Sequence, residues 1–421
     1  MIESLYPHQE TGARFLKAHK RGCLFWEVGT GKTNTAIAAV NKLPRGKLLI
    51  LAPACVIRGM WEKYNDLPIE HEVTFITYEY LARHIDFYKT NRFDYIICDE
   101  CHKLKNRKSH TFKIVRALTK ETRCKYAWGL TGTPYATSFL DIWGIFNSLN
   151  IPEFKESYDS FMHMTYICKV VYVNAGRFIY QPEQLKPGML DILTRRIADH
   201  ASVLRSQDCI DLPEFSIKEI EVEGMRTQQF IDASKGIINY SDEHQETVNK
   251  LAAVQKLHQL SNGFLYTPDH KCLVFKKNAK LQVCEDLVLS ELEERDKIII
   301  VYLYEADKQQ LMEMLQGVRV SYTTSFDDFC STQVLLLQEQ RAVGVNLQAF
   351  TSYMIFYTYS YAYIDYTQTI GRIYRMNQQN KCRIDVLINK HTAERKIWNA
   401  VMKSYDIDTL FKGLMVELGE L

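Results

Sequence analysis

The chain has 421 residues, too long for one ordinary domain and of a size for two or three. A hydrophobic share of 46% and a charged share of 24% describe a globular protein whose core needs no disulfide staples. Lys plus Arg number 52 against 50 Asp plus Glu, a net charge of +2 that excludes a coating protein bound by bulk charge, though not a local basic groove. The longest apolar runs, such as Leu48 to Ile57 with Pro53 inside it, fall short of the ~18 residues of a membrane span. The opening MIESLYPHQE lacks the basic and apolar regions of a secretion signal. The 11 cysteines are scattered singly apart from Cys98 and Cys101, as befits reduced thiols in a cytosol. A cytoplasmic protein of several domains, with no membrane contact, is expected.

In chain order, GCLFW (22–26), KLLILA (47–52), EVTFI (72–76), YIICD (95–99) and KYAWGL (125–130) predict strands buried on both faces. Helical spacing recurs between them over Thr33–Val40, Val56–Tyr64 and Ser109–Leu118. Such alternation predicts a parallel sheet covered by helices. Residues 138–205 read as an aromatic, irregular extension of this lobe, with helices at 138–149 and 156–166. Residues 206–225 read as a connector ending in an alternating edge strand, and a helical stretch follows to Gly263. Strands resume at KIIIVYLY (297–304), QVLLLQ (333–338), YMIFYTY (353–359) and RIDVLIN (383–389). The predicted plan is α/β, with two parallel-sheet lobes, 1–205 and 226–421, and helical insertions over about 138–205 and 226–263.

WEVGTGKT (26–33) joins the first strand to the first helix of the alternation. Backbone amides of Gly29, Thr30 and Gly31 can wrap a phosphate at that helix start, and glycine permits the close approach. Lys32 is placed to reach the β and γ phosphates, and the Thr33 hydroxyl to ligate Mg²⁺. The departure from the strict pattern is Trp26, where glycine is usual. At the end of the YIICD strand, Asp99 and Glu100 stand where ligands bind parallel sheets. Asp99 is suited to hold Mg²⁺ and Glu100 to orient and deprotonate a water. Cys98 and Cys101 form a C-x₂-C, but no second pair completes four ligands, so zinc is not expected.

With LTGTP (130–134) and QTIGRIYRMNQ (368–378), these residues resemble the superfamily-two helicases and translocases, and within them the Swi/Snf branch of DNA translocases. LYPHQ (5–9), LAPACVIRGMWEKY (51–64), DECHKLKN (99–106), LRSQDCIDLP (204–213), GVNL (344–347) and HTAERKIW (391–398) follow in the family's order. The resemblance implies two tandem RecA-like lobes, with ATP and Mg²⁺ as cofactors and DNA, duplex or forked, as partner. It implies that Gln9 hydrogen-bonds adenine while Tyr6 or His8 packs on it, and that His102 links the ATP site to Thr131 and Thr133. It also implies that Gln368, Arg372 and Arg375 of the second lobe act on the phosphates across a cleft, with Arg375 as an arginine finger contributing ~10³–10⁵ in rate. If the GRIYR segment is helical, Arg372 and Arg375 share a face. The nucleic-acid track is expected along Pro53, Arg58, Tyr78, Lys105, Asn106, Thr133 and Asn346, through sequence-independent backbone contacts.

Other features separate the possible functions. The basic run KLKNRK (103–108) is either a solvated face or a phosphate contact. The tyrosine-rich 353–366 reads as buried packing rather than a stacking platform, and Trp61, Trp128, Trp143 and Trp398 as core. The segment before GVNL lacks the family's paired glycines, Gln316–Thr332 is short, and no chromatin-binding module is visible. These departures favour a minimal bacterial or phage motor over a nucleosome remodeller. No strand-splitting pin is visible, so translocation or annealing stands level with unwinding. The alternatives are an RNA helicase and an ATP-gated clamp recruiting a replication, recombination or nuclease partner.

Overall fold

The computed structural model describes residues 5–57, 69–134, 138–173, 177–209, 211–223, 228–240, 245–248, 250–275, 278–341, 346–390 and 392–404. The chain divides near Asp211 into two compact units.

In the first unit, five apolar runs form β1 (Arg21–Trp26), β2 (Lys47–Ala52), β3 (Glu72–Thr77), β4 (Tyr95–Asp99) and β5 (Tyr126–Leu130). All residues of β1 and β4 are buried, so apart from Arg21 at the start of β1 and Asp99 at the end of β4 these runs are apolar instead of alternating. A hairpin follows, β6 (Tyr166–Val173) with β7 (Arg177–Leu185), and then β8 (Ala201–Leu204). The main sheet has the order β3-β2-β4-β5-β1-β8, and every pairing in it is parallel. Because β5 lies between β4 and β1, the carboxyl ends of all three emerge side by side. The phosphate loop, the acidic pair and LTGTP are the segments that leave those ends.

The longer described helices of this unit are α1 (Pro7–Ala18), α2 (Lys32–Val40), α3 (His110–Leu118), α4 (Phe139–Ser148), α5 (Tyr158–Thr165) and α6 (Met189–Ala198). Ser109, Ser138 and Ser157 cap α3, α4 and α5 by accepting backbone N–H bonds. The core beneath α3 and α4 includes Phe112, Trp143, Phe146 and Phe154. Cys98 and Cys101 belong to it together with Cys23, so they are packing groups. The expected helix over 56–64 lies largely outside the described residues; Ala54–Val56 is helical.

One expectation for the first unit is corrected. The extension 138–205 is not irregular and helical throughout, since 166–185 is the antiparallel hairpin and 201–204 an edge strand of the sheet. The hairpin's side chains are largely exposed, so its apolar content carries no burial pattern to read.

The second unit's sheet contains β9 (Phe215–Val222), which the connector supplies. Between it and the rest of the sheet come two small ladders, β10 (Ile237–Asn239) with β11 (Gln245–Thr247), and β12 (Phe264–Tyr266) with β13 (Cys272–Val274). The sheet is completed by β14 (Ile298–Tyr302), β15 (Tyr322–Thr323), β16 (Val334–Gln338), β17 (Tyr353–Phe356) and β18 (Cys382–Asn389). Its order is β15-β16-β14-β17-β18-β9, again with parallel pairing throughout. The named helices are α7 (Gln228–Ser234), α8 (Lys250–Ser261), α9 (Ala279–Glu294), α10 (Glu305–Gly317) and α11 (Tyr363–Ile370). A further helix runs over 393–404. The stretch expected to be helical over 226–263 is broken by the β10–β11 ladder, because Gly236 takes a positive φ of 84° after α7 and turns the chain back.

The tyrosines at 353, 357, 359, 363 and 366 are buried, as are Trp128, Trp143 and Trp398, while Trp61 lies outside the described residues. One buried charge pair fastens α9 to the helix after β18. Lys280 Nζ donates to Glu394 Oε1 at 2.6 Å and to Asn262 Oδ1 at 3.0 Å, and both charged side chains are fully buried. No described helix is long and apolar enough to cross a membrane.

Candidate active site

Gly29 (φ 87°) and Gly31 (φ 81°) hold the phosphate loop in the left-handed region, which a side chain would strain. Within the loop, the Thr30 hydroxyl donates to the Glu27 carbonyl at 2.8 Å. Lys32 Nζ bridges the loop's entry by donating to the carbonyls of Trp26 (2.8 Å) and Glu27 (2.9 Å). The Glu27 carboxylate accepts the Ser206 N–H at 2.9 Å, so the segment after β8 braces the loop from behind.

The departure at Trp26 has a structural reason. Its indole is buried and donates to Ser202 Oγ at 3.0 Å, and the ring lies against α1. A Cβ on Gly12 would come within 2.3 Å of that ring, so a glycine inside the helix admits the tryptophan. Neither Gly12 nor Ser202 is among the residues singled out from sequence. A glycine in a helix interior costs ~1 kcal/mol against alanine, and that cost is the signal that could have found Gly12.

The start of α1 lies over the loop. Gln9 is buried; its Oε1 accepts the Tyr6 N–H at 3.1 Å, and its Nε2 lies 3.5 Å from the Thr30 carbonyl, directly above Gly31. His8 Nε2 also meets the Thr30 carbonyl, at 3.0 Å. Tyr6 stacks on His8 with ring centroids 5.8 Å apart and is half exposed. Tyr6, His8 and Gln9 therefore form one cluster beside the loop.

Across the sheet edge, the Thr33 hydroxyl donates to Asp99 Oδ2 at 3.4 Å, and Asp99 Oδ1 accepts the Glu100 N–H at 3.0 Å. Burial, and secondarily the charge of Glu100, raises the Asp99 carboxyl above its ordinary range, with Lys32 opposing the shift. Glu100 has φ 54°, an uncommon conformation for a non-glycine residue. That turn brings Glu100 Oε2 to 3.1 Å from His102 Nδ1, which also lies 3.1 Å from Thr131 Oγ1. Thr131 Oγ1 in turn accepts the Thr133 N–H at 3.2 Å. Glu100, His102, Thr131 and Thr133 thus form a continuous polar line from the acidic pair into LTGTP. The Thr133 hydroxyl is buried and has no hydrogen-bond partner among the described residues.

The residues present fit a triphosphate with Mg²⁺. The loop offers amides and a lysine to an anion, and the buried pair of Thr33 hydroxyl and Asp99 carboxylate is a hard-oxygen donor set.

In the second unit, Gln368 is on α11, and its backbone carbonyl accepts Arg372 Nε at 2.9 Å. Arg375 donates to Asn346 Oδ1. The GRIYR segment is not helical: α11 ends at Ile370 and turns follow, so Arg372 and Arg375 do not share a helix face. Arg372 is buried, whereas Arg375 is partly exposed.

Among the expected track residues, Pro53 precedes a short helical turn and Asn106 is exposed. Lys105 is partly exposed, and its carbonyl would lie 2.3 Å from a Cβ on Gly144, so α4 packs tightly behind the basic run. Arg58 lies outside the described residues. Tyr78 is corrected: it is buried and its hydroxyl donates to the Asp99 carbonyl at 2.8 Å, so it supports the acidic pair from inside the core.

The SNF2-related domain family matches residues 59–169. The chain is 24% identical over 474 residues to an uncharacterized ATP-dependent helicase of Bacillus subtilis (strain 168), YqhH, covering 99% of this chain and 80% of that protein. It is 23% identical over 506 residues to the DNA repair and recombination protein RAD54B of Mus musculus, covering 94% of this chain but only 55% of that one. The helicase domain of Hef from Pyrococcus furiosus shares the fold, with a TM-score of 0.52, 14% identity and coverage of 94% of this chain and 98% of that one. Both units are RecA-like lobes. Ordered motifs, the SNF2-related match over residues 59–169 and the likenesses along the chain make it similar to SNF2-related ATP-dependent helicases.

Proposed function

We propose that the chain is a DNA-stimulated ATPase that couples ATP hydrolysis to movement along, or remodelling of, DNA. The observation that carries this reading is the polar line from Thr33 and Asp99 through Glu100 and His102 to Thr131 and Thr133. A nucleotide site with no need to respond to a second ligand gains nothing from a buried histidine shared between its carboxylate and a neighbouring loop.

In this reading the loop amides and Lys32 bind the ATP phosphates, while Gln9, Tyr6 and His8 receive the adenine. Thr33 and Asp99 hold Mg²⁺, which neutralises charge on the phosphates when bound. Glu100 orients the attacking water and accepts its proton at a carboxylate oxygen. His102, on Glu100 and Thr131 at once, makes the carboxylate's position depend on LTGTP, so DNA held near Thr133 sets the rate. Arg375 serves as the arginine finger, with Arg372 and Gln368 supporting it. Lys105, Asn106 and Asn346 contact the DNA backbone. The DNA repair function named for RAD54B supports DNA as the substrate.

The test is steady-state ATP turnover with no nucleic acid, single-stranded DNA, duplex DNA, a fork and RNA, alongside Glu100→Gln and Arg375→Ala. Duplex DNA is expected to stimulate turnover, and each substitution to lower it by about a thousandfold. Turnover indifferent to every nucleic acid would replace the motor by an ATP-gated clamp. Turnover stimulated best by RNA would replace it by an RNA helicase.

A further inference from the structure

The β6–β7 hairpin is announced by no motif and takes no part in the nucleotide site. In its register Val170 faces Tyr180 and Tyr172 faces Phe178, which puts these four residues on one side of the ribbon. Tyr172 is 79% exposed, Phe178 53% and Tyr180 45%, an unusual concentration of aromatic surface. Phe178 packs edge-on to Tyr180 (centroids 5.6 Å apart), and Tyr180 edge-on to His163 of α5 (4.7 Å). This aromatic side therefore continues inward from the hairpin's outer end to the body of the lobe.

There Tyr180 joins the lining of a groove of about 930 Å³ that the basic run Lys105–Lys108 also lines, together with Asp141 and Asp159. Arg107 is committed within the groove: it lies 4.0 Å over the Tyr158 ring and 3.3 Å from Asp159. Lys105 and Lys108 form no ion pair with a described carboxylate. The groove thus sets Lys105 and Lys108, which pair with neither Asp141 nor Asp159 of its lining, together with Tyr180, and the aromatic row continues from Tyr180 outward along the hairpin.

We propose that this groove and the hairpin's aromatic side bind a single-stranded segment of DNA. Lys105 and Lys108 would hold its phosphates, and Tyr180, Phe178 and Tyr172 would stack on its bases. Charge and chemistry select the occupant. A duplex hides its base faces and leaves the aromatic row unused, whereas a single strand uses the rings and the lysines alike. An apolar protein partner would bury the two lysines without counter-charges. The inference rests on the reading of the chain as a DNA-stimulated ATPase and extends the backbone contact at Lys105 and Asn106 to a place on the first lobe that holds a single strand.

The test measures fluorescence anisotropy of a labelled single-stranded oligonucleotide and of its duplex with the full chain, at low and high salt. The variants are Tyr180→Ala, Tyr180→Phe, Tyr172→Ala/Phe178→Ala and Lys105→Gln/Lys108→Gln, each first checked by thermal melting. Each alanine variant is expected to weaken single-strand binding about tenfold or more and duplex binding less than about twofold, with Tyr180→Phe retaining wild-type affinity. The lysine pair is expected to weaken single-strand binding and flatten its salt dependence by about one to two contacts.

Alanine variants that bind the single strand as wild type does would overturn the proposal. So would an equal loss of both DNA forms, which would make the hairpin a backbone contact or a structural prop. A changed oligomeric state on gel filtration, with single-strand affinity intact, would assign the face to a second protein chain and overturn it as well. ATP turnover with duplex DNA is measured in parallel on the wild type. Absent stimulation removes the motor reading, whereas normal stimulation with unchanged single-strand affinity removes only the groove.

Discussion

Lys280→Met is expected to destabilise the second unit severely. The ammonium is fully buried, with Glu394 Oε1 at 2.6 Å, Asn262 Oδ1 at 3.0 Å, and the ring of Tyr357 5.2 Å away. Methionine fills the same volume, so the change isolates the charge. Glu394 would keep the Asn389 N–H at 2.8 Å but lose its counter-ion. His258, 3.8 Å away, cannot substitute, because burial pushes it down to about 4 and leaves it neutral at pH 7. Breaking a buried pair from one side costs ~3–5 kcal/mol. Adding Glu394→Gln removes the stranded charge while keeping an acceptor for Asn389, so the double variant should regain at least about half of that loss. Hydrogen exchange of β14 and β18 amides under native conditions reads the opening free energy of this unit directly. A Lys280→Met chain within about 1 kcal/mol of wild type, or a double variant whose losses simply add, would refute the electrostatic reasoning.

Burial raises Asp307 to about 7 and Glu339 to about 8, so the folded chain holds protons that the unfolded chain has released. The stability these groups contribute is present below about pH 4 and lost as pH rises through 7 to 8. Between pH 6.5 and 8, outside the window of His258, urea midpoints should fall with pH, and less steeply in Asp307→Asn; an unchanged slope would count against this assignment. Gly12→Ala gains ~1 kcal/mol of helix preference but drives a methyl to within 2.3 Å of Trp26, and such overpacking costs ~1–3 kcal/mol. Weaker binding of a fluorescent ATP analogue is expected, and a more stable chain with unchanged affinity would show that the contact is slack. His102→Ala should lower the ratio of DNA-stimulated to unstimulated ATP turnover; a preserved ratio would take His102 out of the coupling path.

The sheets and the nucleotide loop were legible because their constraints are local. A strand buried on both faces must be apolar throughout, and a loop that wraps phosphate needs Gly29 and Gly31 at positive φ. The roles of Trp26 and Gly12 were not legible, since each explains the other only after α1 is laid on the sheet. Tyr78 looked like a surface residue because nothing in the sequence around it, ITYEYL (76–81), reveals that its hydroxyl ends beneath Asp99. The hairpin was missed because exposed aromatic strands carry no contrast between an inner and an outer face. The i, i+3 spacing in GRIYR would set one face only where a helix continues, and α11 stops at Ile370.

The strictly parallel sheets also bear on how the chain is made. No two neighbouring strands of either main sheet can pair through a tight turn, so a growing polypeptide cannot secure them as it leaves the ribosome. In the first lobe β1 stays an open edge until β8 at Ala201–Leu204 has been synthesised. In the second, β9 at Phe215–Val222 is made first, yet its partner β18 at Cys382–Asn389 is made last. For most of its synthesis this lobe therefore carries an unpaired strand, and variants that slow translation or shorten the chain before β18 should be caught by chaperones or aggregate.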